Sequence, residues 1–178
     1  MLACATTASS VPVALTPAPP GEPALDFQAK GEVVWADLSQ SVTPRRASFD
    51  GWRVTGPEVS LIRAPDGLWQ GTFQRRAVAF EVRPGALAAP GVSVSVRRQP
   101  DGSVQVSGQV WDSPVELQVA KSSINGSAGA NQVALTLTAA GMYTNGAAGS
   151  LTLSGEAARL EEPVMPQLFL ALLAVLVQ

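Results

Sequence analysis

From about residue 25 to residue 156 the apolar side chains of this chain fall at every second position. Val92, Val94 and Val96 set the pattern, and Val104 and Val106, then Val115, Leu117 and Val119, then Val133, Leu135 and Leu137, and finally Leu151 and Leu153 repeat it. A period of two puts one face of a strand in a core and the other toward water, and it is incompatible with an amphipathic helix. Turn chemistry divides the runs: Pro65-Asp66-Gly67, Pro100-Asp101-Gly102, Asn125-Gly126 and Asn145-Gly146 are read as hairpin turns, because each presets φ or tolerates positive φ. No segment before residue 157 has a 3.6-residue period. The expected fold is therefore all-β, an antiparallel meander of hairpins. It forms a sandwich or partly closed barrel of roughly eight to ten strands, with a short apolar C-terminal helix over an edge or an open end.

A weak internal repeat supports the meander. Gly71 is followed by Val78, Phe80 and Val82, Gly108 by Val115, Leu117 and Val119, and Gly126 by Val133, Leu135 and Leu137, so the same offsets occur three times. Upstream, Val59, Ser60, Arg63 and Pro65-Asp66-Gly67 match Val94, Ser95, Arg98 and Pro100-Asp101-Gly102. One hairpin unit is reused, on a scale too short and irregular for a solenoid.

The two ends differ from this body. Residues 1–24 are small, hydroxylated and proline-rich, with no charge before Glu22, and such a run buries too little to offset its ordering entropy, so it reads as a flexible linker. Cys4 is the sole cysteine and has no internal disulfide partner. The run Leu2-Ala3-Cys4 resembles the lipobox of bacterial lipoproteins, with Met1 standing where that pattern has an aliphatic residue. The resemblance implies a lipid on Cys4, membrane anchoring and a place in the cell envelope, on the periplasmic or extracellular face. It also implies a translation start upstream of Met1 that supplies a signal peptide; without one, the expected location is the cytoplasm. At the other end, residues 157–178 form the tail. Its Leu168–Val177 stretch is ten unbroken apolar residues, half the roughly 20 needed to span a bilayer. Leu and Ala outnumber β-branched residues there, which favours a helix apolar on all faces, buried on the β domain or a partner. Residues 25–156 are the β domain.

Composition narrows the chemistry. The chain has no His, which removes Ser-His-Asp and Cys-His nucleophile systems and the usual zinc sites, and no cofactor or metal is expected. Charge is segregated: nine Arg and four acids lie in residues 45–98, while both flanks are acidic. Arg75 and Arg76, at an expected hairpin tip, are candidates for contact with an anion, because side chains within a regular strand would diverge to opposite faces. Aromatic residues are few and do not interleave with the arginines, so no nucleic-acid partner is expected. Of the four tryptophans, Trp35, Trp52, Trp69 and Trp111, the last two sit near the repeated hairpins. With Leu168, Phe169 and Leu172 they are candidate ligand or interface contacts. Asp112 and Glu116 are the carboxylates for any acid/base chemistry. Asn125-Gly126-Ser127 matches a glycosylation sequon that the expected Asn-Gly turn explains without sugar.

These features converge on a non-enzymatic envelope lipoprotein with a structural or interaction role. Its expected partners are a membrane reached through the lipid anchor and an envelope protein or a second copy of itself. A cup for a lipid or other apolar ligand, with the tail as plug or lining, is the alternative, and a carboxylate-dependent hydrolase is the third reading.

Overall fold

The computed structural model describes residues 30–37, 43–83, 85–145, 149–155 and 166–177. Fourteen strands follow one another: β1 Gly31–Asp37, β2 Arg45–Phe49, β3 Arg53–Gly56, β4 Val59–Arg63, β5 Trp69–Phe73, β6 Arg76–Arg83, β7 Ala86–Ala89, β8 Val92–Arg98, β9 Val104–Val110, β10 Ser113–Val119, β11 Ser123–Ala128, β12 Asn131–Leu137, β13 Met142–Thr144 and β14 Gly149–Gly155. A helix, α1 Pro166–Leu176, ends the chain. Each strand pairs antiparallel with the next, and β14 pairs with β1 from Gly31↔Gly155 to Asp37↔Gly149, which closes the meander into a barrel without an edge.

Hairpin meander and antiparallel pairing are as the alternation indicates, and the short C-terminal helix is as the Leu- and Ala-rich tail indicates, but it is buried on every face and does not lie over an edge, since the closed barrel has none. The closure is complete and the strand number higher than eight to ten, because β2, β3, β4, β5, β7 and β13 have only three to five residues each and show too little alternation to be told from loops. Asn125-Gly126 is not a turn. Both residues lie inside β11, where Asn125 pairs with Gln118 and Ala134, and Gly126 with Leu117 and Val133. The sequon is therefore in a strand.

The repeat has a structural meaning. The seven-residue offset is a cross-strand pair across a two-residue loop: Gly71↔Val78, Gly108↔Val115 and Gly126↔Val133. At all three glycines φ is between +130° and +148°, and a Cβ would lie 1.9–2.0 Å from a backbone oxygen of the preceding strand, that of Ser60, Ser93 or Glu116. Only glycine permits that approach. Glycine at such positions within a strand is a device by which sheets are curved toward closure. The Pro-Asp-Gly copies match as well. Asp66 Oδ1 accepts from the Leu68 N–H at 3.0 Å and Asp101 Oδ1 from the Ser103 N–H at 2.9 Å, with Gly67 and Gly102 at positive φ.

Alternation sorts the side chains. Val33, Leu61, Trp69, Val106, Leu117, Ile124 and Leu151 are among the buried inward set. Outward positions such as Ser60, Thr72, Ser93, Arg97, Glu116 and Gln132 are exposed. This is the reverse of a barrel that spans a membrane with its strands, which needs an apolar outer band. No helix among the described residues is long and apolar enough to cross a membrane.

Candidate functional site

A barrel of about eight strands fills its interior with side chains, but fourteen strands about 4.8 Å apart and tilted by about 40° give a backbone radius of roughly 14 Å. After a layer of inward side chains, that leaves room for an α-helix, about 10–12 Å across. α1 takes this space. Every residue from Gln167 to Val177 is buried, whichever face of the helix it occupies, and the helix packs against β1, β2 and β3.

Its polarity follows from its last carbonyls. Arg45 Nη1 donates to Val175 O at 3.1 Å, Gln74 Nε2 donates to Val177 O at 2.9 Å, and Asn131 Nδ2 donates to Leu176 O. These donors come from the start of β2, the β5–β6 loop and the start of β12, well apart around the ring but all at one barrel end. A helix C-terminus leaves its last carbonyls without intrahelical partners, and here the barrel supplies them. That end is therefore closed by the helix C-terminus. β1 begins and β14 finishes at the opposite end.

The lumen is apolar, with polar atoms embedded in it. Trp35 Nε1, Trp69 Nε1 and Gln167 Oε1 are buried without a hydrogen-bond partner. Such atoms are costly in an apolar interior. Trp69 opens β5 and Gln167 is the second residue of α1, so both lie toward the end opposite the capped carbonyls.

The residues singled out from sequence divide between three places. Trp69, Leu168, Phe169 and Leu172 are in the lumen, as is Trp35. Trp111 is in the β9–β10 loop with φ +53°, its ring covering Gly91, where a Cβ would lie 2.7 Å from Cε3. Arg76 stacks on the same ring, its guanidinium carbon 4.6 Å from the centroid. Arg75 instead ion-pairs with Glu58 at 3.2 Å, so the two adjacent guanidiniums are directed to different partners. Cys4 lies outside the described residues. Asp112 is in the loop after Trp111, whereas Glu116 is the fourth residue of β10 on the outer face.

Glu116 borders a surface groove of about 740 Å³ with Gln105, Gln118, Asn125, Ser127 and Gln132, open along the outer face of β9–β12. Register explains the row of amides: Gln105 pairs with Gln118 and Gln118 with Asn125. Asp101, at the rim, accepts from the Ser103 hydroxyl at 2.7 Å and from its N–H. These bonds to Ser103 hold its carboxyl below the usual carboxylate range. Among the described residues no group of three His, Cys, Asp or Glu is placed to hold a metal.

The cap donors Arg45, Gln74 and Asn131 escape sequence reasoning because they are far apart in the chain and nothing local relates them. The exposure of Trp52 and Ile62 is equally invisible there, since Trp and Ile in an alternating chain read as core. The chain matches no protein-family model, no curated protein and no solved structure.

Proposed function

We propose that the protein is a non-enzymatic cell-envelope lipoprotein, in which Cys4 carries the lipid and the barrel is a filled, polar-surfaced body with a structural or interaction role. The observation that carries this reading is the occupied lumen. In barrels of this size the interior is where a ligand or channel resides, and here the chain's own helix takes it, leaving the outer surface and the N-terminal segment as the working parts. The Leu2-Ala3-Cys4 run supports the anchor, and more than one acyl chain makes such an attachment stable. The test is the intact mass of the protein from its native host after separation of membrane and soluble material. Membrane recovery with a mass equal to the chain from Cys4 onward plus acyl groups is expected. An unmodified chain starting at Met1 in the soluble fraction refutes the reading.

A second reading, a binding module for a lipid or other apolar molecule, has its own support. The buried interior is mostly apolar, and Trp69 Nε1 on β5 and Gln167 Oε1 on α1 are polar atoms in it that lack partners. Extraction of the purified protein with organic solvent, followed by mass spectrometry, tests this: a stoichiometric apolar molecule supports it, and an empty extract removes it.

A further inference from the structure

Register places the polar side chains of the outer groove in two rows. Cross-strand partners point to the same side of a sheet. Gln105, Gln118 and Asn125 are such partners across β9, β10 and β11, and Glu116, Ser127 and Gln132 are partners across β10, β11 and β12. Both rows alternate with the buried Val106, Leu117, Ile124 and Val133, so both face outward. Neighbouring strands lie about 4.8 Å apart and residues two apart along a strand about 7 Å, which makes the two rows a close lattice of polar groups. They border the groove of about 740 Å³, a volume within the range of small-molecule sites.

The rows differ in how their side chains are held. Gln99 Nε2 donates to Gln105 Oε1 at 3.0 Å, and Asn125 Nδ2 donates to Ser123 Oγ at 3.2 Å. Gln118 Nε2 donates to Ser103 Oγ at 3.3 Å, and the buried Ser103 hydroxyl donates in turn to Asp101 Oδ1 at 2.7 Å. These bonds orient three amide planes and leave each with further donors or acceptors. The side chains of Glu116, Ser127 and Gln132, by contrast, have no hydrogen-bond or ion-pair partner among the described residues.

Charge does not select what binds here. Asp101 and Glu116 border the groove, but Arg97, the exposed cross-strand partner of Gln105, extends the first row on the same face. A lining this polar also gives little to an apolar molecule, since sites for such ligands are predominantly apolar. What it does give is amides that both donate and accept, a hydroxyl that does the same, and a carboxylate that accepts at two oxygens. Sugar hydroxyls, each a donor and an acceptor and set on adjacent carbons, are the matching partners.

We infer that the β9–β12 groove binds a neutral oligosaccharide, with Glu116 accepting from neighbouring sugar hydroxyls and Gln118, Asn125 and Gln132 hydrogen-bonding on either side of it. The groove is formed by register alone, whatever the N-terminal segment carries. None of its described lining residues is aromatic, so binding rests on hydrogen bonds without ring stacking and is weak. The test titrates isotope-labelled full-length protein with maltohexaose, cellohexaose and chitohexaose, each to about 10 mM, and follows side-chain amide signals by NMR. Spermidine and inorganic phosphate are the charged comparison probes. The expected result is that at least one of the saccharides saturably shifts the Gln118, Asn125 and Gln132 signals, and that Glu116→Ala weakens this binding about tenfold or more, through loss of a charge-assisted hydrogen bond. Glu116 is exposed, so the variant keeps the parent melting temperature. Gln109→Ala, on the outer face of β9 but outside the groove, should bind as the parent does. No shift with any of the saccharides overturns the inference, as do shifts that Glu116→Ala leaves unchanged. Tighter binding of spermidine or phosphate at the same signals overturns it too, because charge and not hydroxyl recognition then governs the groove.

Discussion

Replacing Gly108 by Ala tests whether the close approach of the neighbouring strand is what requires glycine there. Two costs follow from the structure. The backbone at Gly108 has φ of +147°, a region that side-chain-bearing residues occupy at about 1–3 kcal/mol. In addition, the new Cβ would lie 2.0 Å from the Ser93 oxygen and 2.9 Å from the Val94 Cα, so β8 and β9 must part in the middle of their ladder; forced overpacking of this kind costs about 1–3 kcal/mol. The sum is about 4 kcal/mol. Gly102 is the internal control: its φ of +83° carries a similar backbone penalty, about 1–2 kcal/mol, but nothing lies within 4 Å of its would-be Cβ. Urea unfolding at constant slope should therefore separate Gly108→Ala from Gly102→Ala by about 2–3 kcal/mol. At about 2–4 °C per kcal/mol for a chain of this size, the melting temperature should fall by about 8–16 °C in the first and by only a few degrees in the second. Equal effects from the two substitutions would refute the argument that close approach, and not turn geometry, requires glycine at Gly108.

Tyr143 is the single tyrosine of the chain, so its ionisation can be read alone by absorbance at 295 nm. Burial raises its pKa above the ordinary 10.0, and its hydroxyl donates to the Lys121 carbonyl at 3.0 Å. The folded state therefore holds the proton after the unfolded state has begun to lose it. The associated stability is full below about pH 10 and is lost as pH rises beyond it. Tyr143→Phe should flatten that alkaline decline, and a titration midpoint at or below 10 would contradict the burial argument. Leu173, buried in the lumen against the barrel wall, should cost about 3–4 kcal/mol on replacement by Ala, measured by urea unfolding; a loss under about 1 kcal/mol would mean the lumen is loosely filled. Gln74→Ala removes the donor to the Val177 carbonyl and should destabilise by about 1 kcal/mol, with faster amide exchange confined to the last turn of α1.

Much of the fold was legible because it is written in local signals. β8, β9, β10, β12 and β14 each have seven residues, long enough for alternation to register, and the Pro-Asp-Gly turns between β4 and β5 and between β8 and β9 carry their own geometry. The all-round apolar character of Leu168–Val177 likewise announces a buried helix. What was not legible is relational. Asn125-Gly126 has the composition of a hairpin turn, but tertiary pairing on both sides keeps it in β11, where the close approach of β10 requires glycine at Gly126. Closure depends on the pairing of β1 with β14, more than a hundred residues apart, and no local pattern encodes it. The helix cap is assembled from positions 45, 74 and 131, which nothing local in the chain relates.

With every residue from Gln167 to Val177 buried, α1 is the core of the barrel and not a removable accessory. Ending the chain at residue 165 tests this directly, by near-UV circular dichroism and binding of the dye ANS. Without the helix, an apolar lumen about as wide as a helix would fill with water, and the three donors at its rim would lose their acceptors. The truncated chain should lose its fixed aromatic signal and bind the dye strongly. A truncated chain with the parent near-UV spectrum and unchanged unfolding midpoint would contradict the account.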